Sequence, residues 1–91
     1  LKGVIDLMIR TEEGVYVVDY KTNALAGYNE ADVALAMADN GYLLQAELYG
    51  QAVAAVFQGG GRPAYLGALY LFVRGLNEDG GGQFWMGAGH D

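Results

Sequence analysis

Two apolar segments joined by a short polar stretch dominate the first part of the chain. Leu1–Arg10 and Val15–Lys21 are rich in β-branched and aromatic residues, and the polar quartet between them ends in Gly14. Such segments favour β-strands, and a glycine-ended connection of this length favours a hairpin. We therefore predict a β-hairpin in which Arg10 pairs with Val15.

That register has a consequence for the charged residues of both strands. Counting back from the turn brings Asp6 opposite Asp19, and because side chains alternate between faces, Lys21 shares their face. Two facing carboxylates repel each other, so we expect a cation between them. The other face is apolar and is predicted to meet the core; it comprises Gly3, Ile5, Leu7, Ile9, Tyr16, Val18 and Tyr20. Apolar residues on both faces indicate a largely covered sheet.

The remainder of the chain alternates between helix and strand patterns. Asn29 is typical of an N-cap and predicts a short helix over Ala31–Ala38. Tyr42–Phe57 has apolar residues at helical spacing on most sides, which predicts a buried helix. Tyr65–Arg74 is a strongly apolar third strand, parallel to a neighbour if the helices form the crossover, and Gln83–Met86 is a short further strand. The fold class predicted is α/β, a mixed sheet flanked by helices.

Composition limits the function classes. Five Lys+Arg against eleven Asp+Glu give a formal net charge of −6, the wrong sign for a free-standing nucleic-acid binder that relies on phosphate neutralisation. Action on DNA would therefore need basic surface elsewhere in a larger protein, or metal ions at the acidic residues. The absence of cysteine excludes disulfides and thiolate metal sites. With no long apolar run and no signal-peptide pattern, we expect a cytoplasmic protein with no membrane contact.

The length of the chain, 91 residues, suits one small domain or part of one. Leu1 is not an initiator methionine, and the chain opens inside a predicted strand. We therefore expect residues 1–91 to be a fragment of a longer protein.

The opposed acidic residues suggest a metal site. Asp6 and Asp19 offer hard oxygen ligands, and Mg²⁺ typically takes one or two protein carboxylates while keeping water and phosphate oxygens. The Lys21 ammonium is within reach of an attacking water or a scissile phosphate. This combination suits metal-assisted hydrolysis of a phosphodiester. By itself, however, an Asp-x-Lys at a strand end is more often an exposed surface pair.

Polar residues on the second predicted helix need partners as well. Gln45 and Tyr49 are one turn apart and project together from an apolar helix, where unpaired amide and phenol groups would be costly to bury. The alternative is a solvent-exposed Gln45 and a core Tyr49. Glu47 is expected to be exposed, and His90 is given no role. Core packing is favoured over base stacking for a group of four tyrosines, Tyr16, Tyr20, Tyr65 and Tyr70.

At these residues the sequence resembles a known family. Gly3-Val4-Ile5-Asp6, Asp19-Tyr20-Lys21 and the segment Tyr42–Tyr49 match, in order, the GxxD, DYK and QxxxY motifs of RecB-type nucleases in the PD-(D/E)XK superfamily. A strand similar to Leu69–Gly75 follows in that family, whose members include the C-terminal nuclease domain of the exodeoxyribonuclease V beta subunit. The resemblance implies a restriction-endonuclease-like core.

The resemblance also implies roles for individual residues. Asp6 and Asp19 would bind Mg²⁺, with Mn²⁺ as a substitute, and the Tyr20 backbone carbonyl would be a further ligand. Lys21 would orient or activate the water, while Gln45 and Tyr49 would support the site or contact DNA. The family also has an upstream core helix, a first strand, a helicase region and a His metal ligand, none of which lies in residues 1–91. The isolated chain is therefore expected to bind metal weakly and to be inactive.

Two functions follow from these expectations. The first is the metal-dependent DNA exonuclease or endonuclease core of a helicase-nuclease of the exodeoxyribonuclease V type, acting in double-strand-break repair and recombination with DNA and with gamma and alpha subunits as partners. The second is a non-catalytic module that retains the fold to hold partner subunits or DNA. Metal binding at Asp6 and Asp19 discriminates between them.

Overall fold

The computed structural model describes residues 5–56 and 64–88. The strands are β1 (Leu7–Arg10), β2 (Val15–Lys21), β3 (Tyr65–Phe72) and β4 (Gln83–Gly87), and the helices are α1 (Glu30–Asp39) and α2 (Tyr42–Val56). A single 3₁₀ turn, Val73–Gly75, ends β3 two residues earlier than predicted. Among the helices in these ranges, none has the length and apolar character needed to cross a bilayer.

The four described strands form one mixed sheet in the order β1-β2-β3-β4. β1 runs antiparallel to β2 in the predicted register, with Arg10 opposite Val15. β2 and β3 are parallel, as predicted, and α1 and α2 supply the long crossover that a parallel pair requires. β4 is antiparallel to β3. The predicted α/β class, a mixed sheet with flanking helices, is confirmed.

The hairpin loop is closed by its first and last residues. The Thr11 backbone N–H donates to the Gly14 carbonyl at 2.7 Å, and the Thr11 hydroxyl accepts from the Glu13 N–H at 3.2 Å. Gly14 has a φ of +153°, and a Cβ there would lie 2.3 Å from the Ala64 carbonyl oxygen. Only glycine fits this position, so the loop length and the register are fixed together.

The sheet face covered by the helices is the opposite of the one predicted. Val15 and Val17 are fully buried in the core with residues of both helices, whereas Leu7 is 42% exposed and Tyr20 is 47% exposed. The helices thus pack on the face that carries Asp19. Both faces of the hairpin are apolar, so composition could not choose between them; the helical crossover between two parallel strands decides which side is covered. The expectation of a largely covered sheet holds only in part for the opposite face, where Val18 is buried at 4% exposed but Trp85 is 50% exposed.

Helix α1 begins at the predicted cap. The Asn29 side chain accepts from the Asp32 N–H at 2.9 Å, and the Asp32 carboxylate accepts from the Asn29 N–H at 3.3 Å. This reciprocal capping box satisfies two N–H groups that have no partner within the helix.

Helix α2 buries one face only, which corrects the prediction of a buried helix. Ala46, Tyr49 and Val53 are buried against the sheet, but Leu44 is 60% exposed and Val56 is 66% exposed. The abundance of alanine and leucine around α2 made it look apolar on all sides, while only one stripe meets the layer beneath. The predicted end at Phe57, the start of the first strand over Leu1–Val4, and His90 lie outside the described residues.

Candidate functional site

Asp19 is the one buried charged residue in the described ranges, with 3% of its surface exposed. It lies near the end of β2 on the face that the helices cover. Lys21 Nζ lies 3.2 Å from Asp19 Oδ1, and the Tyr49 hydroxyl donates to Asp19 Oδ2. Each carboxylate oxygen therefore has a partner, as a buried charge requires.

Asp6 lies just before β1, so it is not a paired strand residue as the register alone implied. The first described pair, Leu7 with Val18, places it next to Asp19 across the strands. Its side chain is exposed, and Asp6 Oδ2 accepts from the Tyr20 backbone N–H at 3.0 Å. Asp6 is also among the charges that raise the pKa of Tyr49. The two carboxylates thus lie at the same end of the hairpin, one buried and one open to solvent.

Lys21 is held between a carboxylate and aromatic rings. Its Nζ lies 4.0 Å from the centre of the Tyr42 ring and 5.6 Å from that of Tyr70. Only 14% of its side chain is exposed. The alternative of a solvated surface pair with Asp19 therefore does not describe these two residues.

Tyr49 and Gln45 both project toward the sheet, but they contact different residues. Tyr49 is buried and donates to Asp19; burial first, and then the hydrogen bond to Asp19, raise its pKa well above the usual range. It therefore stays a neutral hydrogen-bond donor at ordinary pH. Gln45 Oε1 accepts from the Tyr70 hydroxyl at 2.9 Å, so Gln45 supports β3 and has no described contact with Asp19.

Tyr42 and Tyr70 are the residues that sequence reasoning did not place at the site. Tyr70 is the sheet partner of Asp19, and its ring stacks on that of Tyr42 with centroids 5.9 Å apart. Burial, followed by the charge of Asp19, raises the pKa of Tyr70. A signal was available: Tyr42 precedes Gln45 by three residues, which places both on one helix face.

The other tyrosines of the predicted cluster lie away from this group. The Tyr65 hydroxyl donates to the Ala46 carbonyl at 3.1 Å and ties β3 to α2. Tyr16 meets Trp85 edge to face at 6.0 Å on the opposite side of the sheet. The preference for core packing is thus right for Tyr65 and Tyr70 and wrong for Tyr20, which is 47% exposed.

A polar cavity of about 640 Å³ opens beyond the end of β3. It is lined by residues of both charge signs, including Arg74, Glu30 and Asp79, and does not include the carboxylate pair. Arg74 Nε donates to the Thr22 carbonyl at 2.6 Å, which connects the cavity wall to the residue after Lys21.

The donor set fits a hard divalent cation in part. Asp6 and Asp19 provide two carboxylates, the number that Mg²⁺ commonly takes from a protein. No group of three or more His, Cys, Asp or Glu side chains with metal-binding geometry exists within residues 5–56 and 64–88. A third His, Cys, Asp or Glu ligand would therefore have to lie outside these ranges.

Comparison with known proteins identifies the family of the chain. The family profile for the PD-(D/E)XK nuclease superfamily matches residues 1–85. The chain belongs to the PD-(D/E)XK nuclease superfamily. The family resemblance carried by the GxxD, DYK and QxxxY motifs is thereby confirmed, together with the restriction-endonuclease-like fold class.

Three proteins similar in sequence to this PD-(D/E)XK chain are, by name, subunits of the RecBCD enzyme or of a helicase/nuclease. RecBCD enzyme subunit RecB of Escherichia coli K12 is 36% identical over 90 residues, covering 87% of this chain and 8% of that protein. An ATP-dependent helicase/nuclease subunit of Listeria innocua is 33% identical over 73 residues, covering 79% of this chain and 6% of that protein. RecBCD enzyme subunit RecB of Borreliella burgdorferi is 29% identical over 87 residues, covering 87% and 7%. The PD-(D/E)XK chain therefore spans less than a tenth of these relatives.

Proposed function

We propose that this chain is the catalytic core of a metal-dependent deoxyribonuclease that hydrolyses phosphodiester bonds in DNA. The observation that carries the proposal is the buried Asp19 carboxylate, with Lys21 Nζ at 3.2 Å and the Tyr49 hydroxyl on its other oxygen. A buried acid paired with a shielded lysine, beside a second acid, supplies the charged groups that metal-assisted hydrolysis of a phosphodiester uses. Its membership of a nuclease superfamily supports the same interpretation.

Asp6 and Asp19 would hold Mg²⁺, or Mn²⁺ as a substitute, with the Tyr20 carbonyl as a further ligand. When bound, the ion would supply the Lewis acidity that offsets charge on a phosphate and lowers the pKa of water. Tyr49 fixes Asp19 Oδ2 and leaves Oδ1 directed toward Lys21. In this proposal the Lys21 ammonium orients the attacking water and offsets charge that develops on the phosphate oxygens.

The biological setting is inferred from the names of the relatives. The two RecB proteins and the Listeria innocua protein are, by their names, parts of the RecBCD enzyme and of an ATP-dependent helicase/nuclease. We infer that the intact protein is of the exodeoxyribonuclease V type and works in the cytoplasm in double-strand-break repair and recombination. Its partners would be DNA and the equivalents of gamma and alpha subunits. Basic surface for DNA would come from those parts, since this chain carries a net charge of −6.

Replacement of Asp19 by Asn in the intact protein tests the proposal. Asn keeps the shape and can still accept from Tyr49, but removes the charge that a metal and Lys21 require. We expect Mg²⁺-dependent DNA degradation to fall by at least about a thousandfold, with ATP hydrolysis unchanged. Asp39→Asn, which makes the same change at an exposed position near the end of α1, is the matched control and should keep full activity. Undiminished degradation by the Asp19 variant would contradict the proposal.

The second candidate function is the non-catalytic module. The observation in its favour is that the described residues hold no acidic group of three or more at the site. Isothermal titration of the intact protein with Mg²⁺ and Mn²⁺ discriminates between the two functions. Heat that disappears in the Asp19→Asn variant supports the nuclease, whereas no binding in either protein supports the module.

A further inference from the structure

Lys21 contacts aromatic rings in addition to its ion-pair partner Asp19. Its ammonium lies 4.0 Å from the centre of the Tyr42 ring, within the range of a cation–π contact. Tyr70 lies farther away, at 5.6 Å. Because 14% of the lysine side chain is exposed, solvent weakens this attraction less than it would at an open surface.

The Tyr42 ring is itself fixed on two sides. One side stacks on Tyr70 at 5.9 Å with 17° between the ring planes. The Tyr42 hydroxyl lies 3.2 Å from Asn23 Nδ2 and 3.3 Å from Asn23 Oδ1, and Asn23 is two residues beyond Lys21. Helix α2 thus places an immobilised aromatic face against the lysine.

The ion pair with Asp19 would be weakened by any other cation that binds the same carboxylate. Tyr49 donates to Asp19 Oδ2, and Lys21 Nζ pairs with Oδ1. A further cation on Asp19 would therefore share the carboxylate with Lys21. A divalent ion on Asp19 would repel the ammonium, and the aromatic rings, of which Tyr42 is the nearer at 4.0 Å and Tyr70 the farther at 5.6 Å, would then attract it.

We propose that Tyr42 is a positioning residue whose ring holds the Lys21 ammonium at the site when another cation binds Asp19. Its effect on catalysis rests on the function proposed above, in which Lys21 acts on the reaction. The cation–π contact between Tyr42 and Lys21 does not depend on that function and is measured separately.

A double-mutant cycle in the intact protein tests the catalytic effect. Tyr42→Leu removes the ring, whereas Tyr42→Phe keeps the ring and loses only the contacts to Asn23. We expect Tyr42→Leu to lower kcat for DNA degradation roughly tenfold with little change in KM, and Tyr42→Phe to retain most of the activity. In a Lys21→Met background, Tyr42→Leu should lower kcat by less than about twofold more, since the residue it acts through is gone.

Tyr65→Leu is the matched control because Tyr65 also joins β3 to α2 but does not contact Lys21. It should leave kcat unchanged. Equal losses from Tyr42→Leu in both backgrounds would mean that Tyr42 only supports the fold, and would overturn the proposal.

Nuclear magnetic resonance of the intact protein with ¹³C-labelled lysine tests the contact between Tyr42 and Lys21 directly. The Lys21→Met variant identifies the Lys21 signal by its absence. Ring currents should shift the Lys21 ε-methylene protons upfield, and the shift should persist at saturating Mg²⁺. It should survive Tyr42→Phe and Tyr65→Leu and fall sharply in Tyr42→Leu, where only the more distant Tyr70 ring remains.

The two measurements separate the two proposals. An upfield shift with no effect of Lys21→Met on DNA degradation would overturn the catalytic role given to Lys21 in the proposed function and leave its contact with Tyr42 standing. A Lys21 signal that does not respond to Tyr42→Leu would overturn the positioning role, whatever the activity.

Discussion

Replacement of Tyr49 by Phe removes the hydrogen bond from the Tyr49 hydroxyl to the buried Asp19 carboxylate. The change removes one hydroxyl from a buried side chain and keeps the ring that packs in the core. Asp19 Oδ2 then loses its donor inside a layer where Asp19 is 3% exposed. Lys21 stays on the other oxygen, so the change concerns one hydrogen bond to one charged atom.

The loss in the free energy of unfolding follows from the charge of the acceptor, Asp19, in this hydrogen bond. A hydrogen bond to a charged group contributes roughly 1.5–3 kcal/mol, and a buried acceptor left without a donor loses most of that. We expect the free energy of unfolding to fall by about 2 kcal/mol. For a domain of this size, that corresponds to a fall in Tm of about 8–16 °C.

Urea unfolding followed by far-ultraviolet circular dichroism measures the effect. Tyr65→Phe is the control because it removes a hydroxyl bound to a neutral acceptor, the Ala46 carbonyl at 3.1 Å, and should cost about 1 kcal/mol. In an Asp19→Asn background the cost of Tyr49→Phe should fall by about 1 kcal/mol, since the acceptor is neutral. The reasoning is refuted if Tyr49→Phe costs no more than Tyr65→Phe, or if the Asp19→Asn change leaves its cost unaltered.

Two further predictions concern alkaline pH and the sheet backbone. Burial raises the pKa of Tyr65 from 10.0 to about 12; since this folded pKa lies above the unfolded value, its stabilisation is complete below about pH 10 and is lost as the pH rises toward 12. Urea unfolding should therefore show a falling free energy of unfolding between about pH 10 and 11, less steep in Tyr65→Phe, and a flat profile would contradict it. Gly67 has a φ of +144° and a Cβ there would lie 2.5 Å from the Met86 carbonyl oxygen, so Gly67→Ala should cost at least about 3 kcal/mol. Gly80→Ala, at a φ of +85° with open space around it, should cost only about 1 kcal/mol by the same urea assay, and equal costs would contradict the steric argument.

Local features of the fold were predictable because neighbouring residues set them. The capping side chain of Asn29 depends on a residue three positions away, and Asn29 is the cap as predicted, although the helix begins at Glu30, one residue before the predicted Ala31. The pairing of Arg10 with Val15 depends on the length of one loop and the conformation of Gly14. The parallel placement of β3 follows from the two helices that precede it. The motifs that identified the family are likewise continuous segments of sequence.

Contacts between different helices and strands were much harder to predict from the sequence. The spacing of Gln45 and Tyr49 showed that both project from one face of α2, but not that one would meet Asp19 and the other Tyr70. Tyr42 could not be assigned to Lys21 because the two belong to different elements, and the sequence does not state the distance between a helix and a strand. The exposure of Leu44 was not predicted for the same reason: whether a helix residue is buried depends on whether another helix or strand packs against it.

The sequence by itself determined the family, because its motifs are continuous segments. It also determined the order of the elements and placed Asp19 and Lys21 on one strand face, because turns, caps and strand alternation act over a few residues. Only the tertiary structure decided which face of the sheet the helices cover. That choice buried Asp19, brought the Tyr49 hydroxyl to one of its oxygens and placed the Tyr42 ring against Lys21. A strand with two apolar faces fits either side of a layer, and the packing of the helical crossover breaks that symmetry.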